Sequence, residues 1–185
     1  MNLIETIHNQ PYSSINSNYK NVEGDIVDIG CLDWDWCNMF LGKKRVIGID
    51  PQQNTIPKGA ELFKGLIGPF DGLAKIEETG IGAKISDNKK GQWHDILSWK
   101  SFCKLYNIDK VCVLKINIEG GEYPLLASMD RIDFEKINQI AISFHDWLYP
   151  EQKQQKYMCL KLLQDNGFNL KQTYRQWGWW LAYKN

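Results

Sequence analysis

The stretch VCVLKINIEGGEYPLL, residues 111–126, decides how the chain folds. Val111, Val113, Leu114, Ile116 and Ile118 predict a buried strand, Gly120-Gly121 a tight turn, and Pro124 the opening of a helix. In an open α/β sheet, ligands bind just beyond the carboxyl ends of the strands. That rule puts Lys115, Asn117, Glu119 and Glu122 where chemistry is usually done. Glu122 has a plainer role open to it, since an acid in the first turn of a helix is favoured by the helix dipole. Lys115 and Asn117 are harder to dismiss because they interrupt an apolar run. A buried lysine is costly unless paired, so Lys115 is expected to meet a carboxylate.

Two more strand ends carrying acids lie upstream, GDIVDIGC at 24–31 and RVIGID at 45–50. Asp28-Ile29-Gly30, followed by Cys31, ends the first. Glycine there permits a sharp turn and close backbone approach to a nucleoside, although a glycine after a strand is also an ordinary turn. Asp50, followed by Pro51, ends the second strand about 20 residues later, the spacing at which an acid accepts the ribose hydroxyls of a nucleotide cofactor. The three strand ends together indicate a nucleoside-cofactor site with a substrate site beside it.

Farther out, strand and helix patterns alternate. Ile26–Ile29, Arg45–Ile49, Glu61–Ile67 and Ile137–Phe144 read as strands, and Trp34–Leu41 as a short helix. A second helix runs from the N-cap Ser98 to about Asn107, and a third from Pro150 to a stop at Gly167. Residues 68–91 are glycine-rich and weakly patterned, as in a hairpin or mobile loop. Phe168–Tyr174 and Trp177–Tyr183 flank a short turn and should pair antiparallel. Alternation of this kind predicts a mainly parallel sheet with helices on both faces. Closing it with an antiparallel hairpin is the arrangement of Rossmann-like methyltransferases. Residues 1–24 are polar and read as a lead-in segment or short lid before a single domain at 25–185.

Composition narrows the function. In 185 residues, 22 basic side chains balance 22 acidic ones, so nothing draws the chain as a whole to nucleic acid or an anionic membrane. No run approaches the roughly 20 apolar residues needed to span a bilayer, and the start lacks a signal-peptide pattern, so a cytoplasmic location is expected. Five cysteines without a C-x-x-C pair read as free structural thiols, and no zinc pattern joins them to the three histidines. Eight tryptophans are many for this length. Trp177, Trp179 and Trp180 suit either a packed terminal hairpin or the wall of a sugar or adenine pocket.

The motif LKINIEGGEYPLL resembles the signature of the FkbM family of methyltransferases, which runs L-K-I-D-x-E-G-x-E. VDIGC, VIGIDP and SFHDW follow that family's order across roughly residues 24–150. The resemblance implies a Rossmann-like class I fold with a seven-stranded sheet and S-adenosyl-L-methionine as methyl donor. It further implies O-methylation of a sugar or glycan hydroxyl, on a small-molecule or glycan acceptor. On that basis Asp28, Gly30, Cys31, Asp50 and Pro51 are expected to hold the cofactor. His145, just after a strand, is the first choice as general base, with Asp146 as its orienter or a substrate ligand. Lys115 and Asn117 would join them, while Glu119, Glu122 and Trp147 would contact the acceptor. Asp146 as the base, or alignment alone with late proton loss to water, are the other routes. Glu119, Glu122 and Asp146 could hold a divalent ion, yet no ligand cluster supports one, and none is expected. The sequence sets no oligomeric state. Two departures from the family pattern stand out: D-x-G-A-N-x-G becomes Asp28-Ile29-Gly30-Cys31-Leu32-Asp33-Trp34, and the motif's usual Asp is Asn117. They motivate a rival expectation, an inactive methyltransferase fold serving as a binding module.

Overall fold

A computed structural model describes residues 4–7, 10–78, 83–85 and 91–185. Its centre is a seven-stranded sheet built from β3 (Asp25–Ile29), β4 (Val46–Ile49), β5 (Ala60–Phe63), β10 (Val111–Ile116), β11 (Ile137–Ser143), β12 (Asn169–Tyr174) and β13 (Trp179–Tyr183). Their order across the sheet is β12-β13-β11-β10-β3-β4-β5. From β11 to β5 every pair is parallel, and β13 runs antiparallel to both β11 and β12. Strand β10 sits in the middle with all six residues buried, which is why its sequence is apolar at every position but Lys115 rather than alternating.

Side chains alternate between two cores, as the pleat requires. Val27, Ile29, Ile47, Ile49, Leu114 and Ile116 point into the larger one. It is covered by α2 (Trp99–Leu105), α3 (Glu122–Ser128), α4 (Arg131–Glu135) and α5 (Lys153–Asp165). The opposite face is closed differently. There α1 (Asp35–Asn38) contributes Trp36 and Cys37, the 3-10 turn Ser17–Asn21 contributes Tyr19, and Phe40 and Ile15 join them. Ile15 belongs to β2 (Gln10–Asn16), which pairs with β1 (Ile4–Ile7) as an antiparallel hairpin. Gln139 of β11 anchors that hairpin, accepting from the Asn16 backbone at 2.7 Å and donating to the Asn16 carbonyl at 2.9 Å. The polar stretch expected to be a lead-in thus contributes strands and a buried isoleucine.

The described residues of the glycine-rich segment include antiparallel pairing, as the hairpin reading expected. β6 (Leu66–Gly68), β7 (Gly72–Glu78), β8 (Ala83–Ile85) and β9 (Gln92–Ser98) form a second sheet in the order β6-β9-β7-β8. The third strand read at 61–67 is split between β5 and β6, which lie in different sheets. Residues 79–82 and 86–90 of the expected loop lie outside the described residues. Ser98 caps α2 as expected, accepting from the Ser101 backbone. A short helix missed in the sequence, α4, begins with a reciprocal capping box between Asp130 and Asp133. Among the described residues, no helix is long and apolar enough to cross a membrane.

Candidate active site

A cleft of about 540 Å³ opens beyond the carboxyl ends of β3, β4 and β10, within the usual size range for small-ligand sites. Ile29, Gly30 and Leu32 line it after β3, Asp50, Pro51 and Gln52 after β4, and Asn117 to Gly121 after β10. Gly65 to Phe70 wall one side as the chain passes from the main sheet into the second one, and Pro124, Tyr149, Glu151 and Gln152 wall the other. Sequence reasoning missed both walls. The strand-end rule could have flagged Tyr149 and Gln152, which follow β11, but nothing local marks Leu66 or Phe70.

The close approach at Gly30 is to the backbone that follows β10. The φ of Gly30 is 86°, and a Cβ there would lie 2.1 Å from the Asn117 carbonyl oxygen. Any side chain would force the ends of β3 and β10 apart. Asp50 is nearly buried, and its Oδ1 accepts from the Gln52 and Gln53 backbone at 2.8 and 3.2 Å. Burial raises its pKa above the ordinary aspartate value, against the opposing pull of those hydrogen bonds and of Lys115.

Asp28 and Lys115 lie under the cleft rather than in its lining. They are register partners on neighbouring strands, so their side chains share a face, and Lys115 Nζ donates to Asp28 Oδ1 at 2.6 Å. Both are almost fully buried. The same ammonium donates to the Gly30 carbonyl at 3.1 Å and sits 5.8 Å from the Trp36 ring. Burial disfavours the charge on Lys115, but Asp28 outweighs it and holds its pKa up. The expected carboxylate partner is therefore Asp28, and the pair braces the loop that carries Gly30.

Cys31 and Trp34 also turn into the smaller core. Burial pushes the thiols of Cys31 and Cys37 up, and Cys37 donates to Asp28 Oδ2 at 3.1 Å. These cysteines act as small apolar side chains. Trp34 occupies the left-handed region, φ 62°, where the family pattern has glycine. Its ring packs over Gly48 of β4, and its Nε1 donates to the Thr55 carbonyl at 2.8 Å. The bulky departure is thus accommodated beneath the cleft, away from its lining.

The EGGE turn organises the far end of the cleft. Glu122 is fully buried and both its oxygens are occupied. Oε1 accepts from the Ile118 backbone at 2.8 Å and Oε2 from the Gly120 backbone at 2.9 Å, bracketing Glu119. His145 Nδ1 lies 2.8 Å from Glu122 Oε1, and its Nε2 lies 3.6 Å from Glu119 Oε1. His145 is buried behind Glu119 and does not line the cleft. Burial works against a charged ring, yet the hydrogen bond and charge of Glu122, with Glu119 and Asp146, outweigh it and raise the His145 pKa above the ordinary value. Glu119 keeps one oxygen, Oε2, without a hydrogen-bond partner, and burial raises its pKa although His145 pulls the other way. Asp146 pairs with Lys156 of α5, while Trp147 is largely exposed and tilts over His145. Among the expected site residues, then, Gly30, Asp50, Pro51, Asn117 and Glu119 converge on the cleft. Asp28, Cys31, Lys115, Glu122, His145, Asp146 and Trp147 lie behind or beside it.

Every charged side chain described in the lining, Asp50, Glu119 and Glu151, is acidic. No group of three or more potential metal ligands occurs among the described residues. A mostly parallel sheet with an acid-lined cleft at its strand ends defines an α/β protein with room for a small ligand. A family model for the methyltransferase FkbM domain matches residues 21–170, and the chain belongs to that family. It is a methyltransferase domain. Among solved structures it is similar to methyltransferase FkbM from Methylobacillus flagellatus KT, with a TM-score of 0.54 and 15% identity. That match covers 87% of this chain and 43% of the other, so the chain spans less than half of that protein, and the likeness concerns the fold. No curated protein matches the chain.

Proposed function

We propose that the domain transfers a methyl group from S-adenosylmethionine to a hydroxyl of a small carbohydrate or glycoconjugate. The observation that carries this reading is the acid-lined cleft over β3, β4 and β10, with Gly30 and Asp50 at one end and Glu119 at the other. The strand order, with β13 antiparallel between β11 and β12, is that of Rossmann-like class I methyltransferases and supports the same fold assignment. A sulfonium and an ammonium suit a site whose charged lining groups are carboxylates. Asp50, at the end of β4 and in the cleft lining, supports a ribose site, since an acid there can accept ribose hydroxyls.

The donor, when bound, supplies an activated methyl group that departs from a neutral thioether. The protein must therefore align the acceptor and manage its proton. Asn117, Glu119, Tyr149 and Gln152 offer hydrogen-bonding groups for a polyhydroxylated acceptor at the end away from Asp50. The departures at Leu32 and Trp34 do not favour an inactive module, because Trp34 is spent on the core and the loop still opens onto the cleft. Calorimetric titration with S-adenosylhomocysteine, followed by methyl transfer from labelled donor to a panel of methyl glycosides, tests the reading. Saturable micromolar binding and labelled glycoside are expected. Absence of binding to the folded protein would refute it.

A further inference from the structure

We propose that Glu119, and not the neighbouring histidine, takes the proton of the acceptor hydroxyl, and that His145 is its positioning residue. This rests on the methyltransferase reading above and assigns the base within that site.

Access is the first reason. Glu119 lines the cleft, whereas His145 is 3% exposed and stands behind it. Occupancy is the second. His145 Nδ1 is engaged by Glu122 and its Nε2 faces Glu119, so neither ring nitrogen is turned to an acceptor. Glu119 Oε2, by contrast, is a buried acceptor with no donor, a costly state that an incoming hydroxyl would relieve. Backbone strain is the third. Glu119 has φ 54°, a left-handed conformation that is unfavourable for a non-glycine residue. The strain is sustained by Glu122, whose carboxylate clamps the backbone N–H groups on either side of Glu119. Strained residues held in this way cluster at functional sites.

The charges around Glu119 fit the task. Glu122 of α3 approaches from one side, and His145 and Asp146 from the turn after β11, with Asp146 neutralised by Lys156 of α5. Tyr149 and Glu151 approach from the next loop. His145, between Glu122 and Glu119, pulls the Glu119 pKa down against its burial and holds the carboxylate in position. In the transfer step the acceptor oxygen bonds to the methyl carbon while the carbon–sulfur pair returns to sulfur. The O–H pair stays on oxygen and the proton passes to a Glu119 oxygen, to be released to water after the methyl ether leaves.

The test combines nuclear magnetic resonance on protein labelled at histidine ring nitrogens and glutamate carboxyls with assays on Glu119→Gln and His145→Gln. In the wild type, the His145 ring should titrate above the ordinary histidine value of about 6.5. In His145→Gln, the Glu119 carboxyl should titrate at higher pH than in the wild type, a shift that a purely structural histidine would not produce. Glu119→Gln should bind S-adenosylhomocysteine within about threefold of wild type. Its methyl transfer to methyl α-D-glucopyranoside, methyl α-D-mannopyranoside or methyl α-L-rhamnopyranoside should fall about 10²–10⁴-fold. A His145 ring that titrates at or below the ordinary histidine value, wild-type turnover in Glu119→Gln, or loss of S-adenosylhomocysteine binding in that folded variant would each overturn the inference. Failure of the wild type itself to bind S-adenosylhomocysteine would instead remove the reading on which it rests.

Discussion

Replacing Trp34 by glycine restores the residue of the family pattern at a position whose backbone is already left-handed, and its consequences can be worked out from the packing. The ring is 3% exposed and would be only 2.6 Å from a Cβ at Gly48. Deleting a buried tryptophan ring costs roughly 3–5 kcal/mol, a range that includes the hydrogen bond to Thr55. Relief of the left-handed conformation returns about 1–2 kcal/mol. The net loss should be about 1–4 kcal/mol, which a domain of ordinary stability, roughly 5–15 kcal/mol, survives. Urea denaturation followed by fluorescence of the remaining tryptophans measures it directly. Because the ring lies beneath the cleft, affinity for S-adenosylhomocysteine should stay within about threefold. A companion substitution sharpens the test. Gly48→Ala alone should cost about 1–3 kcal/mol by overpacking against Trp34 and Cys31, and less in the Trp34→Gly background, where only the sulfur remains in the way. Unchanged stability in Trp34→Gly would refute the packing argument. A tenfold loss of affinity in the folded variant would show that the indole reaches the ligand.

Asp50→Ala should weaken S-adenosylhomocysteine binding at least tenfold in calorimetry, since charge-assisted hydrogen bonds are worth roughly 1.5–3 kcal/mol each; undiminished affinity would place the ribose elsewhere. Lys115→Met should lower the unfolding free energy by about 3–5 kcal/mol by stranding Asp28 in the core, and Asp28→Asn in that background should recover part of the loss, both read from urea midpoints. Stability should also depend on pH through His145. Its pKa is raised in the folded state, so the folded protein holds that proton more tightly than the unfolded chain. The contribution is complete below about pH 6.5, the ordinary histidine value, and disappears as pH rises through the folded-state pKa. Urea midpoints measured upward from pH 6.5 should therefore fall in the wild type and fall less in His145→Gln.

What the sequence determined by itself was whatever depends on near neighbours along the chain. The apolar runs of β3, β4, β10 and β11, the turn at Gly30, the acid at Asp50 and the terminal hairpin are all written in local composition and spacing. So was the need of Lys115 for a carboxylate, because the cost of a buried ammonium does not depend on which acid repays it. Tertiary structure alone decided which acid that is, since Asp28 meets Lys115 only through the register of two strands distant in sequence. It also decided that Trp34 turns onto Gly48, a residue whose missing side chain gave no sign of being a socket. The second sheet and the N-terminal hairpin escaped notice because their strands are short, polar or interrupted by glycine, and gain their stability from what they cover. The same holds for the site. Strand-end position marked Glu119, Glu122 and His145 alike, but only the packed turn shows that Glu122 holds the other two and that Glu119 alone of the three lines the cleft. Local pattern fixes the direction and burial of a strand. Which strand-end group faces the cleft is set by long-range contacts that each residue's neighbours in sequence do not encode.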